Sequence, residues 1–247
     1  MEKDIISDIK SNLDKVKSIL SKDKKDRMYK IINPDIQNYV ILGIKTSDIE
    51  KIVRTIHNQY NPTFNQVKDI FKQLARTNIE EYKFAAFFFL NRYKKQFDEE
   101  TPDFFRFEYF PYCHTWSTCD SCCIRVIRPF LAKKHNHQLA IKTIDSWSID
   151  DLFWIKRASM VILLKIIMVN KDFDKDYVFS KIEEMLKYST NNYIEKSIGW
   201  LLKTCSKIKP SLIFNYLMQN KDRISRLILR YASEKLPEEK RTKLLMK

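Results

Sequence analysis

Only two glycines, Gly43 and Gly199, interrupt the 247 residues of this chain. Sheets need many tight turns, and turns with positive φ draw on glycine, so a chain this poor in it is expected to be built of helices joined by short polar loops. The same scarcity excludes the GxGxxG and GxxxxGKS/T loops that cradle nucleotide phosphates. The length suits one large domain or one extended array, and a hydrophobic content of 44% is enough to bury a sizeable core.

Charge narrows the partner. Lys and Arg number 45 against 31 acids, a net charge of +14 spread along the whole chain. Such an excess points to a polyanion, with nucleic acid first and an anionic membrane surface second. Abundant Lys, Ile and Asn can also reflect base composition alone. Four of the five cysteines (Cys113, Cys119, Cys122, Cys123 and Cys205) crowd into residues 113–123, a poor disulfide framework that fits a reducing compartment. His114, His135 and His137 raise the question of zinc, but no second CxxC pair completes a tetrahedral set, so buried helical thiols and no metal are expected.

The opening MEKDIISDIK has no apolar h-region. The longest apolar run, residues 158–169, carries Lys165 and is too short to span a bilayer. The expectation is a chain that is cytoplasmic and nucleoid-associated, or nuclear in a cell with a nucleus. It is further expected not to be secreted, to have no membrane partner, to work as a monomer and to need no cofactor.

Periodicity then lays out the elements. Ile5, Ile9, Leu13, Val16 and Leu20 define an amphipathic helix over 4–20, followed by a charged loop, SKDKKDR. An apolar segment, YVILGIK, is broken by Gly43, and Ser47 with Glu50 reads as a capping box for the next helix. Helices are expected at 64–75, 79–92, 115–131, 136–146, 150–169, 174–188, 192–206, 210–219, 223–234 and 237–246, with a Phe-rich segment at 103–110. Ser148 with Asp151, and Pro237 with two following Glu residues, read as start signals. Paired helices with short connections describe a stacked array. Trp116 to Trp154 spans 38 residues and Trp154 to Trp200 spans 46, near the forty-odd period of HEAT units. The expected fold is therefore all-α, one HEAT-like α-solenoid domain over 1–247 with a concave basic groove.

Within that array the stretch HTWSTCDSCC at 114–123 stands out. On a helix, Trp116 and Asp120 share a face about 6 Å apart, and ring face and carboxylate both favour positive partners. Local sequence by itself favours a core tryptophan beside a solvated or capping acid. Trp154 and Arg157 share a second face, as do Lys196, Trp200 and Lys203. Converging in a groove, these would set a carboxylate and aromatic planes among phosphate-binding cations.

These residues carry a family likeness. LGIKTSD (42–48), EYKFAA (81–86), WSTCD (116–120), WSIDDLFWIKR (147–157), IEKSIGWLLK (194–203) and ISRLILRYA, ending at Ala232, occur together and in order. In them the chain resembles the DNA alkylation repair proteins of the AlkD-like group, HEAT-repeat DNA glycosylases acting on N3- and N7-alkylated purines. The resemblance implies Asp120 as the catalytic carboxylate and Trp116 and Trp200 as the aromatic walls of the cleft. It implies DNA contacts from Trp154, Lys156, Arg157, Lys196, Lys203 and Arg230, and no deep base-flipping pocket. At 203 the family commonly has Arg, whereas Lys keeps the charge and loses the bidentate fork. Tyr231 replaces a usual Glu, and a family tyrosine before LGI is clearly matched by neither Tyr29 nor Tyr39.

The implied partner is double-stranded DNA containing alkylated bases, and the implied reaction is hydrolysis of the N-glycosidic bond of 3-methyladenine and 7-methylguanine. An alkylated purine already carries positive charge and leaves without a general acid. The protein has only to stabilise an oxocarbenium-like sugar and place a water. Two alternatives belong to other classes. One is a catalytically silent HEAT-like protein binding distorted or branched DNA by shape; the other is a scaffold for acidic protein partners.

Overall fold

Two helices buried on every side organise the chain, and each starts with charged residues turned inward. The computed structural model describes residues 1–246 as helices joined by short turns, with one isolated bridge between Val40 and Ile79. The chain forms two compact units, Met1–Phe130 and Leu131–Lys247. No helix among the described residues is long and apolar enough to cross a membrane.

The first unit contains α1 (Glu2–Val16), α2 (Lys22–Ile32), α3 (Thr46–Tyr60), α4 (Phe64–Ala75), α5 (Glu80–Asn91), α6 (Thr101–Glu108) and α7 (Trp116–Cys122). Every residue from Glu80 to Leu90 of α5 is buried, with α3 and α4 packed against it. A helix apolar all round belongs at the centre of a core. Phe87 and Phe89 are fully enclosed, and truncating either to Ala would cost about 3–5 kcal/mol. The charged start of α5 is satisfied locally. Glu81 accepts from the backbone N–H groups of Leu42, Gly43 and Ile44, and the Lys83 ammonium donates to the carbonyl of Ala75 at the end of α4. Gly43 has φ +75°, so glycine is required where this loop folds over Glu81.

A short helix, α8 (Arg128–Leu131), follows α7 after a π turn over Cys123–Ile127. The second unit holds α9 (His137–Ser148), α10 (Phe153–Asn170), α11 (Lys175–Leu186), α12 (Asn192–Ser206), α13 (Pro210–Gln219), α14 (Arg226–Ala232) and α15 (Glu238–Leu245). Here α10 is the central helix, buried continuously from Trp154 to Leu164 between α9 and α12. α12 in turn packs on α14, and Gly199 makes that approach possible: a Cβ added there would stand 2.5 Å from the Cβ of Tyr231.

Several local expectations are corrected. The first helix ends at Val16, leaving Leu20 outside it. The expected charged loop is instead the start of α2, capped by the Ser21 hydroxyl accepting from the N–H of Lys24. Only Met28, Tyr29 and Ile32 give α2 an apolar side, too few for the period to show. Ser47 and Glu50 do not form a capping box, because α3 begins at Thr46 with Lys45 at its N-cap. The box lies at Thr63 and Gln66, ahead of α4. Ser148 ends α9 and starts nothing; Asp150 accepts from the N–H of Leu152 in the turn before α10.

Candidate active site

α7 is seven residues long before it runs on into the π-helical Cys123–Ile127, and its first turn is tied to the start of α5. Thr115 is the N-cap: its hydroxyl accepts from the N–H of Thr118 at 3.2 Å and donates to Oε2 of Glu80 at 3.0 Å. The Tyr39 hydroxyl donates to that same oxygen at 2.6 Å. Burial raises the Glu80 carboxyl above its usual range, and burial beside Glu80 pushes the Tyr39 hydroxyl far up. Glu81 is also raised by burial, against the pull of its three N–H donors. Lys83, fully enclosed, is held down at about 8, first by burial.

From this base α7 presents Trp116, half-buried, and Asp120, 5% exposed, on one face. The indole N–H of Trp116 donates to the carbonyl of Ile31 at 2.8 Å, and Asn33 Nδ2 donates to the carbonyl of His114 at 2.7 Å. The end of α2 therefore grips the chain on both sides of Thr115. Beyond Asp120 the helix widens into the π turn, where the N–H of Arg128 reaches the carbonyl of Cys123. Pro129 supplies no N–H to continue an α-helical ladder, which accounts for the change of pitch.

The cysteines are packing groups. All five are buried free thiols. Burial raises Cys119, and raises Cys123 to about 11, with the neighbouring Asp120 carboxylate adding to both shifts. Among the described residues no cluster of His, Cys, Asp or Glu is placed to hold a metal ion.

In the second unit the other expected site residues fall into two groups. Around the start of α12, Trp154 packs with Phe153 and Tyr193, and Arg157 Nη1 donates to the carbonyl of Tyr193 at 2.6 Å. Lys196 sets its ammonium over the Tyr193 ring, 5.7 Å from its centre. Trp154 and Arg157 are 6% and 5% exposed, so both reach the surface by an edge only. Lys156 is turned inward, donating to the carbonyl of Asp150 and lying over Tyr188. Trp147 is fully buried core.

The second group surrounds Trp200, which is half-exposed with the Lys165 ammonium 5.0 Å from its ring centre. Trp200, Lys171, Lys203 and Lys207 line an open pocket of about 490 Å³. Lys203 is paired with Glu234 at 2.8 Å, and Arg230 is exposed on α14.

The sequence reading missed Glu80, Asn33 and Tyr193, and met Tyr39 only as an unclear match to a family tyrosine. Thr115 could have been found, since a threonine just before a helical run is an N-cap signal. An acid at the start of a helix, like Glu80, reads instead as a surface charge facing the helix dipole.

No curated protein matches the chain in sequence. The structure is similar to a predicted DNA alkylation repair enzyme from Enterococcus faecalis, with TM-score 0.64 and 15% identity over 81% of this chain and 90% of that one. It is also similar to AlkD2 from Streptococcus mutans, with TM-score 0.61 and 18% identity over 96% and 99%. At such identities the likeness speaks for the fold, and the fold is the expected all-α, HEAT-like helical-repeat class. The model of the DNA alkylation repair enzyme family matches residues 13–236, and the chain belongs to that family.

Proposed function

We propose that this protein is a monofunctional DNA glycosylase that hydrolyses the N-glycosidic bond of N3- and N7-alkylated purines in double-stranded DNA. The observation that carries the reading is Asp120, a carboxylate only 5% exposed, one helical turn from the half-buried Trp116. Family membership and a net charge of +14 support DNA as the substrate.

The chemistry needs little more. As the C1′–N bond breaks, its electrons pass to the purine and neutralise the charge that alkylation placed there. The Asp120 carboxylate faces the positive charge developing on the deoxyribose, where a fixed anion in a poorly solvated site stabilises it most. Water adds at C1′ and its proton passes to the carboxylate. Trp116 supplies a ring plane for the sugar of the damaged nucleotide.

The second unit, by itself, carries further groups suited to DNA. Trp200 offers another aromatic surface, and Lys203, Lys196, Arg157 and Arg230 serve phosphates. Trp154 backs Arg157 through Tyr193. Lys156, committed to Asp150 and Tyr188, supports the turn before α10 and contributes charge only at a distance.

The test is release of free alkylpurine from methylated duplex DNA. Base release that depends on Asp120 supports the reading. Salt-sensitive DNA binding without release contradicts it in favour of a silent DNA-binding member.

A further inference from the structure

The carboxylate of Glu80 stands outside the reaction just described, yet hydroxyls from two other segments converge on it. Tyr39 and Thr115 both donate to Oε2, at 2.6 and 3.0 Å, and the Ser117 hydroxyl is bonded to the same side chain. Thr115 caps α7 and Ser117 lies in its first turn, whereas Glu80 opens α5, the most enclosed helix of the first unit. The Lys83 ammonium, one turn along α5, faces the same carboxylate.

Leverage makes this junction matter. Asp120 lies four residues from the start of α7, about 6 Å along its axis, so a tilt of about 10° at the cap displaces it by about 1 Å. A misplacement of about that size costs a reaction as much as a hundredfold. The far end of α7 runs on into the π-helical Cys123–Ile127, and its near end is the one tied to Glu80. Burying a carboxylate, 6% exposed here, is costly unless it is hydrogen-bonded, and the hydroxyls of Thr115 and Tyr39 both meet Oε2.

We infer that Glu80 is a positioning residue: through Thr115 and Ser117 it orients α7 and so aims Trp116 and Asp120 at the damaged nucleotide. The effect on rate rests on the glycosylase reading; the effect on geometry does not.

The test uses the full chain and two readouts. The first is the set of tryptophan indole N–H resonances, with that of Trp116 assigned by its loss in Trp116→Phe. The second is single-turnover release of 7-methylguanine, measured beside affinity for undamaged duplex. In Glu80→Ala the Trp116 resonance is expected to move while those of Trp147, Trp154 and Trp200 hold. Release is expected to fall about tenfold to a hundredfold with affinity kept within about threefold. Glu80→Gln keeps an oxygen acceptor in place and is expected to restore both readouts toward wild type.

An unmoved Trp116 resonance in Glu80→Ala overturns the inference, as does full activity in that variant. So does a Glu80→Gln variant as impaired as Glu80→Ala, which would assign the effect to charge and not to bond geometry. If Glu80→Ala fails to fold, Tyr39→Phe, which removes one hydroxyl from the carboxylate, decides by the same two readouts in the same directions. If wild type releases no base, the resonance alone decides the inference, and the failure belongs to the glycosylase reading.

Discussion

The indole N–H of Trp116 donates to the main-chain carbonyl of Ile31 at 2.8 Å, joining residues 85 apart in sequence. The end of α2, a helix whose outer face is almost entirely charged, thereby holds the ring on which the proposed site depends. Trp116→Phe keeps an aromatic plane and loses the donor, and is expected to lower stability by about 0.5–1.5 kcal/mol. Trp116→Ala loses the plane too, and base release is expected to fall about tenfold to a hundredfold. Urea unfolding and single-turnover kinetics on the two variants check both figures.

Gly199 of α12 lies directly against Tyr231 of α14. A methyl group added there meets the Cβ of Tyr231 at 2.5 Å, an atom fixed to its backbone that cannot swing aside. Gly199→Ala is expected to force the two helices apart at a cost of about 1–3 kcal/mol. Thermal unfolding should show a lower midpoint, and an unchanged midpoint would contradict the packing described.

Lys83 gives the first unit a distinctive pH response. Its ammonium is fully enclosed, and burial holds it at about 8 against an ordinary value of 10.5. Between these values the unfolded chain binds this proton and the folded chain does not, so its contribution to stability rises with pH across the window. Below about 8 the cost of enclosing the charge, about 3 kcal/mol, is fully present. The difference in unfolding free energy between wild type and Lys83→Met should therefore shift in favour of wild type from about pH 8 to pH 10. A difference that stays flat would contradict the assignment.

Lys203 competes for two partners. Its ammonium is 2.8 Å from Glu234, so a phosphate has to displace that carboxylate. Lys203→Ala is expected to weaken binding of undamaged duplex and to reduce the slope of log K against log salt by about 0.9. Glu234→Ala is expected to tighten binding by about twofold to fivefold, the worth of one exposed ion pair. Fluorescence titrations over a range of salt concentrations measure both, and weaker binding in Glu234→Ala would contradict the competition.

Helices with a clear 3.6-residue stripe were legible before the structure. Residues 64–75, 192–206 and 210–219 coincide with α4, α12 and α13. α2 was not, because a helix that touches the core through three side chains has no stripe to read. The pairing of Trp116 with Asp120 followed from spacing alone, being local to one helix. What fixes that pair in place did not follow. Glu80 bonds Tyr39 and Thr115 across 41 and 35 residues, and Asn33 bonds His114 across 81, so only the fold brings them together. The surroundings of Lys156 were hidden for a related reason. Lys156 was expected among the DNA contacts, and the structure places it on the carbonyl of Asp150 and the ring of Tyr188, partners that no periodicity shows.

The most direct test of the central proposal is release of free 7-methylguanine and 3-methyladenine from methylated duplex DNA by wild type and Asp120→Asn, measured side by side with duplex affinity. The proposal predicts release by wild type, loss of release in Asp120→Asn, and affinities within about threefold of each other because phosphate contacts dominate binding. Equal release by the two proteins would remove Asp120 from the chemistry. Absence of release by wild type, with binding intact, would contradict the glycosylase reading itself.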